Sequence, residues 1–247
     1  MFTKDFEVRY AELGYNSALP VWTLQNYMQE AAAEDAKTLS VGWEDLYQNG
    51  VGWVLVKIQI KLLKEITDIQ KVTVKTWHVS SDKIKSRRDF IILDSKGEKA
   101  AKAVSWWVII DLHTRKITRT PENLITKPGV LNMPAMDELP ETKPHISDKQ
   151  PLKQNEIVSR LEDIDVNGHV NNTHFTGWAI EGIPREIRNS KRLSDILINY
   201  KIEVKDDEKI IVKTYDFENN AFWHFLIRES DGKEIASAYS RWEADKV

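Results

Sequence analysis

Two amphipathic stripes, one in each half of the chain, predict the same element. Near residue 24 the small and apolar side chains follow the spacing of one helix face. The positions in this first stripe are Leu24, Tyr27, Met28, Ala31 and Ala32. In the second half the i, i+3, i+4, i+7 spacing recurs at Phe175, Trp178, Ala179 and Gly182. Each stripe predicts one helix, and Pro184 is expected to end the second.

Runs of alternating apolar and polar residues follow each predicted helix. The clearest are Val54–Leu62 and Ile196–Val204, in which every second residue is apolar and which therefore predict strands with one buried face. A short strand is also expected before each helix, over 6–10 and 155–160. Two glycine-ended hairpin turns are predicted, at Asp94–Gly97 and Glu229–Gly232. One helix followed by antiparallel strands predicts an α+β fold in which a sheet wraps around a helix.

Shared residue identities indicate that the two halves are copies of one unit. The run from Gly97 to Trp107 matches the run from Gly232 to Trp242 at glycine, two alanines, serine and tryptophan. Further matched pairs at similar offsets are Val74 and Val212, Phe90 and Phe225, Glu65 and Glu203, Asn16 and Asn167, and Glu30 and Glu181. Such a duplication replaces the pairing of two identical chains.

A proline-rich segment separates the copies. Six of the eight prolines lie there, at Pro121, Pro128, Pro134, Pro140, Pro144 and Pro151. The sequence therefore predicts domains over 1–120 and 152–247, joined by a linker over 121–151.

Composition removes several classes of function. The chain has 247 residues, a net charge of -3 and no cysteine, which excludes disulfides, thiolate metal sites and a cysteine nucleophile. The charge argues against general nucleic-acid binding. The six histidines show no metal-ligand spacing, so no metal is expected.

No run approaches the roughly 18 apolar residues of a spanning helix, and the start lacks a signal peptide, so a bacterial cytoplasmic protein is expected.

One loop concentrates groups that can move protons. Asp165, Asn167 and His169 alternate along it, directly before the second predicted helix. Backbone N–H groups at that helix start, near Asn171 and Asn172, suit the stabilisation of an oxyanion. Because Asn-Gly is also a strong turn signal, an ordinary turn remains an alternative at this point.

The chain resembles the fatty acyl-acyl carrier protein thioesterases of the plant and bacterial type, which carry two hotdog domains in tandem. The resemblance covers nearly the whole chain. It rests on blocks in the right order, namely Thr23–Glu30, Arg88–Phe90, Gly97–Glu98, Ser105–Val108, Thr114–Lys116, Asp165–Asn172, Trp178, Glu181 and Asn199–Glu203. It implies hydrolysis of the thioester between a fatty acyl chain and acyl carrier protein, with no cofactor.

The resemblance also implies which residues act. Asp165, Asn167 and His169 correspond to the family's active-site loop, and Glu203 stands where a strand glutamate completes the set. Either His169 or Glu203 would be the general base. Strict alternation places Glu203 on the polar face of its strand, so it is either solvated there or turned towards the loop by a bulge.

The first half departs from the catalytic pattern. It retains Asn16, but Gly14 and Ala18 replace the aspartate and histidine. The first domain is therefore expected to be catalytically silent and to hold the acyl chain. Val204 stands where plant members often have cysteine, which favours water as the nucleophile.

Two binding surfaces follow as expectations. An acyl slot is expected in the first domain, with candidate residues Leu24, Met28 and Trp53. Acyl carrier protein is acidic, so a basic docking patch is expected, and the densest basic cluster is Lys83, Lys85, Arg87 and Arg88.

Other functions remain open from the sequence. They are a hotdog thioesterase acting on acyl-CoA, a hotdog dehydratase, and an acyl-binding module without catalysis. The chain is either a monomer or a homodimer paired through exposed sheet edges.

Overall fold

The computed structural model describes residues 1–120, 133–139, 149–218 and 220–244. They belong to two compact units, Met1–Glu138 and Leu139–Val247. Residues 121–132 and 140–148 of the predicted linker, with most of its prolines, lie outside the described residues.

The first unit is a helix on an antiparallel sheet. Its elements are β1 (Phe2–Glu7), α1 (Val21–Thr38), α2 (Trp43–Tyr47), β2 (Val51–Leu62), β3 (Lys71–Ser81), β4 (Lys85–Leu93), β5 (Lys99–Asp111) and β6 (Ile117–Thr118). The strand order is β1-β3-β4-β5-β2, with β6 paired to β5. Helix α1 contacts β1 and β3, and the predicted stripe supplies its buried face, with Met28 and Ala31 fully buried.

The second unit repeats this arrangement. Its elements are β7 (Lys153–Val158), α3 (Asn172–Glu181), α4 (Arg185–Ser190), β8 (Lys191–Tyr200), β9 (Lys209–Asp216), β10 (Ala221–Arg228) and β11 (Glu234–Ala244). The strand order is β8-β11-β10-β9-β7, antiparallel throughout. Helix α3 contacts β9, β10 and β11, so its apolar stripe packs on the sheet as predicted.

Irregular geometry shifts some predicted boundaries. The first strand of each unit ends earlier than expected, because the residues that follow form 3-10 turns at Tyr10–Glu12 and Leu161–Asp163. In β2 the register shifts between Leu55 and Lys57. The single buried face predicted from Val54 to Leu62 is therefore wrong, since Val54 and Val56 are only half-buried.

The register of β10 changes one match between the two copies. In the first unit Phe90 pairs with Thr76 and Ala103. Thr214 and Ala238 of the second unit correspond to Thr76 and Ala103. The residue that pairs with both of them is His224, not Phe225. The match of Phe90 with Phe225 is therefore wrong by one position, and a histidine occupies the place of a core phenylalanine.

His224 is fully buried and fully satisfied. Its Nδ1 lies 2.9 Å from Thr214 Oγ1 and its Nε2 lies 2.9 Å from Ser240 Oγ. Gly182 allows this network to approach α3, because a Cβ there would lie 2.1 Å from Thr214 Oγ1. Burial lowers the pKa of His224 to about 3, so the folded protein holds a neutral imidazole.

The buried histidine predicts acid sensitivity. In the unfolded chain His224 takes a proton near pH 6.5, whereas in the folded chain it does so only near pH 3. The unfolded state therefore binds more protons between these values, and His224 lowers the free energy of unfolding by about 1.4 kcal/mol for each pH unit of acidification.

Urea titrations of the wild type and His224→Phe at pH 7.5, 6 and 5 measure this effect. The variant places the first unit's residue at this position and removes the titration. The difference between the two free energies of unfolding should shift in favour of the variant as the pH falls. A difference that stays constant with pH would contradict the assignment.

Candidate active site

The loop before α3 is a tight turn closed by its own backbone. The Asp165 N–H donates to the His169 carbonyl at 2.8 Å, and the Gly168 N–H donates to the Asp165 carbonyl at 3.0 Å. Gly168 has a φ of 76°, a conformation that glycine adopts without steric cost. The turn therefore holds the backbone that carries the Asp165, Asn167 and His169 side chains in one defined conformation.

One hydrogen bond ties this loop to the segment that contains Glu203. The Val170 N–H donates to the Val204 carbonyl at 2.8 Å. Strand β8 ends at Tyr200, so the prediction that Glu203 lies on the strand is wrong. The Lys201 and Ile202 N–H groups both donate to the Ile235 carbonyl, at 2.9 and 3.1 Å, which places two residues opposite one, as in a bulge.

The irregular segment brings Glu203 to His169. Glu203 Oε2 lies 3.3 Å from His169 Nε2, and the two side chains are 42% and 23% exposed. An ionised carboxylate only accepts hydrogen bonds, which favours the neutral tautomer with the proton on Nε2 and the lone pair on Nδ1. The pair combines a partly shielded imidazole with a more exposed carboxylate.

Asp165 acts on Asn167 instead of on the imidazole. Its Oδ1 accepts the Asn167 N–H at 2.8 Å, and its Oδ2 lies 3.5 Å from Asn167 Nδ2. Asn167 itself is exposed. The carboxylate therefore binds the Asn167 backbone and lies within reach of its side-chain amide.

The start of α3 offers one free amide donor instead of two. The Asn171 side chain caps the helix by accepting the Thr173 N–H at 3.0 Å, and the Asn171 N–H donates to the Asp163 carbonyl at 2.8 Å. The prediction of Asn171 as an oxyanion donor is therefore wrong. The Asn172 N–H has no acceptor among the described residues, so Asn172 remains a candidate.

The first unit contains the same loop without its proton-transfer groups. Its matching backbone bonds are Gly14 N–H to Ala18 O at 2.9 Å, Ser17 N–H to Gly14 O at 2.9 Å, and Leu19 N–H to Ile66 O at 2.8 Å. The matching bulge is formed by Leu63 and Lys64, which both donate to the Ala100 carbonyl. Asn16 Nδ2 donates to Glu65 Oε1 at 3.2 Å, but glycine and alanine stand in the other two positions.

Two of the four predicted docking residues are engaged within the fold. Arg87 binds Asp89 at 2.8 and 3.0 Å and Glu138 at 3.2 Å. Arg88 is buried, and its Nη1 lies 2.6 Å from Asp35 Oδ2. The prediction that Arg87 and Arg88 form a carrier-docking surface is therefore wrong, whereas Lys83 and Lys85 are exposed.

The described part of the connecting segment explains the engagement of Arg87. Glu138 binds Lys57 Nζ at 2.9 Å and Trp106 Nε1 at 3.0 Å. The Ala135 N–H donates to Asp89 Oδ2 at 2.7 Å. Residues 135–138 thus bind both Arg87 and its partner Asp89. The sequence next to Arg87 gives no sign of these contacts.

The predicted acyl-pocket residues belong to the interior of the first unit. Leu24 and Met28 are buried on α1. Trp53 is half-buried, and its Nε1 donates to the Val41 carbonyl at 3.0 Å. Contact with an acyl chain stays a prediction for all three.

Sequence reasoning missed a second histidine–carboxylate pair beside the loop. His174 Nδ1 lies 3.1 Å from Asp163 Oδ1. Asp163 belongs to the 3-10 turn before the loop and His174 to the first turn of α3. No regular helix or strand spacing relates these positions, so only the folded loop shows that they meet.

Two helix-on-sheet units, one of which carries a histidine–glutamate pair at a helix start, define a tandem hotdog protein with one candidate hydrolytic site. The family model described as the acyl-ACP thioesterase N-terminal domain matches residues 1–127, and that of the C-terminal domain matches residues 146–244. The chain belongs to the acyl-ACP thioesterase family, which confirms the family and the fold class predicted from the sequence.

Individual relatives agree with this assignment. A chloroplastic acyl-[acyl-carrier-protein] hydrolase of Cuphea viscosissima is 28% identical over 98% of this chain, and a chloroplastic palmitoyl-acyl carrier protein thioesterase of Arabidopsis thaliana is 27% identical over 99%. The chain spans 62% and 64% of the length of these relatives.

Solved structures share the fold. An acyl-ACP thioesterase from Bacteroides thetaiotaomicron gives a TM-score of 0.87 at 24% identity, covering 98% of this chain and 97% of the other. The 12:0-ACP thioesterase of Umbellularia californica gives 0.82 at 22% identity, covering 99% and 97%. Within the described residues of this chain, no helix has the length and apolar character needed to cross a membrane.

The buried state of Arg88 is testable by stability. Arg88→Leu leaves the Asp35 carboxylate buried without its partner, so the free energy of unfolding should fall by about 3–5 kcal/mol. Lys85→Leu, at an exposed position on the same strand, should change it by less than about 0.5 kcal/mol. Urea titration followed by tryptophan fluorescence measures the free energy of unfolding of both variants. Equally small effects would contradict the burial of Arg88.

Proposed function

We propose that the chain hydrolyses the thioester of fatty acyl-acyl carrier protein and releases a free fatty acid and the carrier thiol. The observation that carries this proposal is the contact of His169 Nε2 with Glu203 Oε2 at 3.3 Å, beside a helix start with a free amide. Membership of the acyl-ACP thioesterase family supports the substrate, as do the names of the relatives.

The contact suggests the order of proton transfers. His169 Nδ1 takes a proton from water while the water oxygen attacks the thioester carbonyl carbon. The Glu203 carboxylate stabilises the imidazolium that forms. When the tetrahedral intermediate collapses, the carbon–sulfur bond breaks and His169 returns its proton to the leaving sulfur. Atoms and charge balance without any cofactor.

Amide donors would stabilise the oxyanion. The Asn172 N–H lies at the positive end of α3, and the Asn167 side-chain Nδ2 lies 3.5 Å from Asp165 Oδ2. A donor of this kind contributes roughly 10²- to 10³-fold to kcat.

The nucleophile is water in this proposal. The chain contains no cysteine, and Val204, the residue directly after Glu203, is fully buried. A thioester is already an activated ester, so water and a base are chemically sufficient.

Kinetics of two variants test the roles within the pair. His169→Ala removes the base and should lower kcat by about 10²- to 10⁴-fold. Glu203→Gln keeps an acceptor oxygen but loses the charge that stabilises imidazolium, so its loss should be smaller. Both are measured as thiol release from acyl-acyl carrier protein with a colorimetric thiol reagent, for which the cysteine-free protein gives no background.

The order of the two losses is decisive. A larger loss for Glu203→Gln than for His169→Ala would make Glu203 the general base. Unchanged kcat in both variants would remove the pair from the reaction.

The exposed lysines at the β3–β4 turn are the remaining docking candidates. Reversing Lys83 and Lys85 to glutamate should raise KM for acyl-acyl carrier protein and leave KM for acyl-CoA unchanged, because only the carrier is acidic. Reversing Lys96 and Lys99, which are exposed at the β4–β5 turn, gives the same charge change elsewhere. Equal rises in KM for both pairs would contradict a specific docking site.

We further propose that the first unit holds the acyl chain, in line with the absence of an imidazole and an aspartate from its loop. A bacterial cytoplasmic location and a homodimer stay predictions, which cell fractionation and sedimentation of the purified protein would test.

A further inference from the structure

A second histidine–carboxylate pair lies at the base of the candidate catalytic loop. His174 Nδ1 and Asp163 Oδ1 are 3.1 Å apart, and the two side chains are 36% and 10% exposed. The pair joins the first turn of α3 to the 3-10 turn that precedes the loop. It lies outside the group of residues that the proposed reaction uses.

Asp163 makes three separate ties. Its Oδ2 accepts the Arg160 N–H at 2.8 Å, its backbone carbonyl accepts the Asn171 N–H at 2.8 Å, and its Oδ1 binds His174. These bonds hold the entry of the loop, its exit and the first turn of α3 together. The backbone between the tied points carries Asp165, Asn167 and His169.

The first unit provides an internal comparison. Glu12 occupies the corresponding place and accepts the Arg9 N–H at 2.8 Å, as Asp163 accepts that of Arg160. Its carboxylate also binds Arg9 Nη2 and the Tyr27 hydroxyl, both at 2.6 Å, and Thr23 stands at the position of His174. Of the two described loops, only the one with the proton-transfer groups is closed by a histidine at the helix start.

We propose that Asp163 and His174 are positioning residues that hold the loop of His169 in its reactive geometry. This inference rests on the proposed function. A displacement of about 1 Å at a reacting group can cost 10²-fold in rate. The clamp lies at the base of the loop, so its loss should affect kcat far more than KM.

Two substitutions of one residue separate positioning from general stability. His174→Leu removes the donor to Asp163 and should lower kcat about 10-fold, with KM within about twofold of wild type. His174→Asn places its side-chain Nδ2 near the position of the imidazole Nδ1 and should restore kcat to within about threefold. Tyr27→Phe removes a bond to Glu12 in the first unit and should leave kcat unchanged.

Amide hydrogen exchange gives a readout that does not depend on activity. The Asp165 and Val170 N–H groups close the loop, and both should exchange about 10-fold faster in His174→Leu than in wild type or His174→Asn. Exchange at the Gly14 and Leu19 N–H groups of the first unit should not change.

The outcomes distinguish this inference from the proposed function. No thiol release by the wild type would overturn the proposed function. Thiol release with wild-type kcat in His174→Leu would overturn the positioning role alone. Unchanged exchange at Asp165 and Val170 would overturn the clamp whatever the activity, and equal kcat losses in the Leu and Asn variants would reduce the pair to a structural role.

Discussion

The hydrogen bond from the Val170 N–H to the Val204 carbonyl, 2.8 Å long, is the constraint on which the candidate site depends. It fastens the polar loop to the segment that leaves β8. That segment is free to meet the loop because Lys201 and Ile202 share one acceptor and the strand has ended. Glu203 then reaches His169, and the helix start with its open amide follows the loop directly. A regular strand through Glu203 would have separated the carboxylate from the imidazole.

The duplication shows which parts of this arrangement are framework and which are chemistry. Both units contain the turn, the bulge and the tie between them, with nearly equal hydrogen-bond lengths. Both retain an asparagine in the turn and a glutamate after the bulge. The turns share only the asparagine, and their proton-transfer groups differ at two positions, where Gly14 and Ala18 replace an aspartate and a histidine. The same backbone geometry thus occurs with and without the aspartate and the histidine of the candidate catalytic loop.

Sequence reasoning could predict what depends on local pattern. The helix stripes, the presence of the strands and the Asp165–His169 motif each depend on neighbouring residues, and the structure places them in the expected elements. Errors arose where distant partners decide. Arg87 and Arg88 form a basic run in the sequence, but Asp35 and Glu138 reach them from other parts of the chain and Asp89 binds Arg87 from the same strand.

Single-residue register was the second limit of sequence reasoning. A bulge moves every later side chain of a strand to the other face, so alternation alone could not place Glu203. His224 takes the place of a phenylalanine because the connection from Ile227 to Glu234 is one residue longer than that from Leu93 to Lys99. The loss of Asn171 as a donor has a related cause, because its N–H is taken up by a carbonyl that only the folded loop brings near.

The most direct test of this account compares the two asparagines at equivalent positions of the two loops. Thiol release from acyl-acyl carrier protein is measured for Asn167→Ala and for Asn16→Ala, each against wild type. Asn167→Ala should lower kcat by about 10²-fold, and Asn16→Ala should leave it within about twofold. Equal losses in the two variants, or no loss in Asn167→Ala, would contradict a single catalytic loop in the second unit.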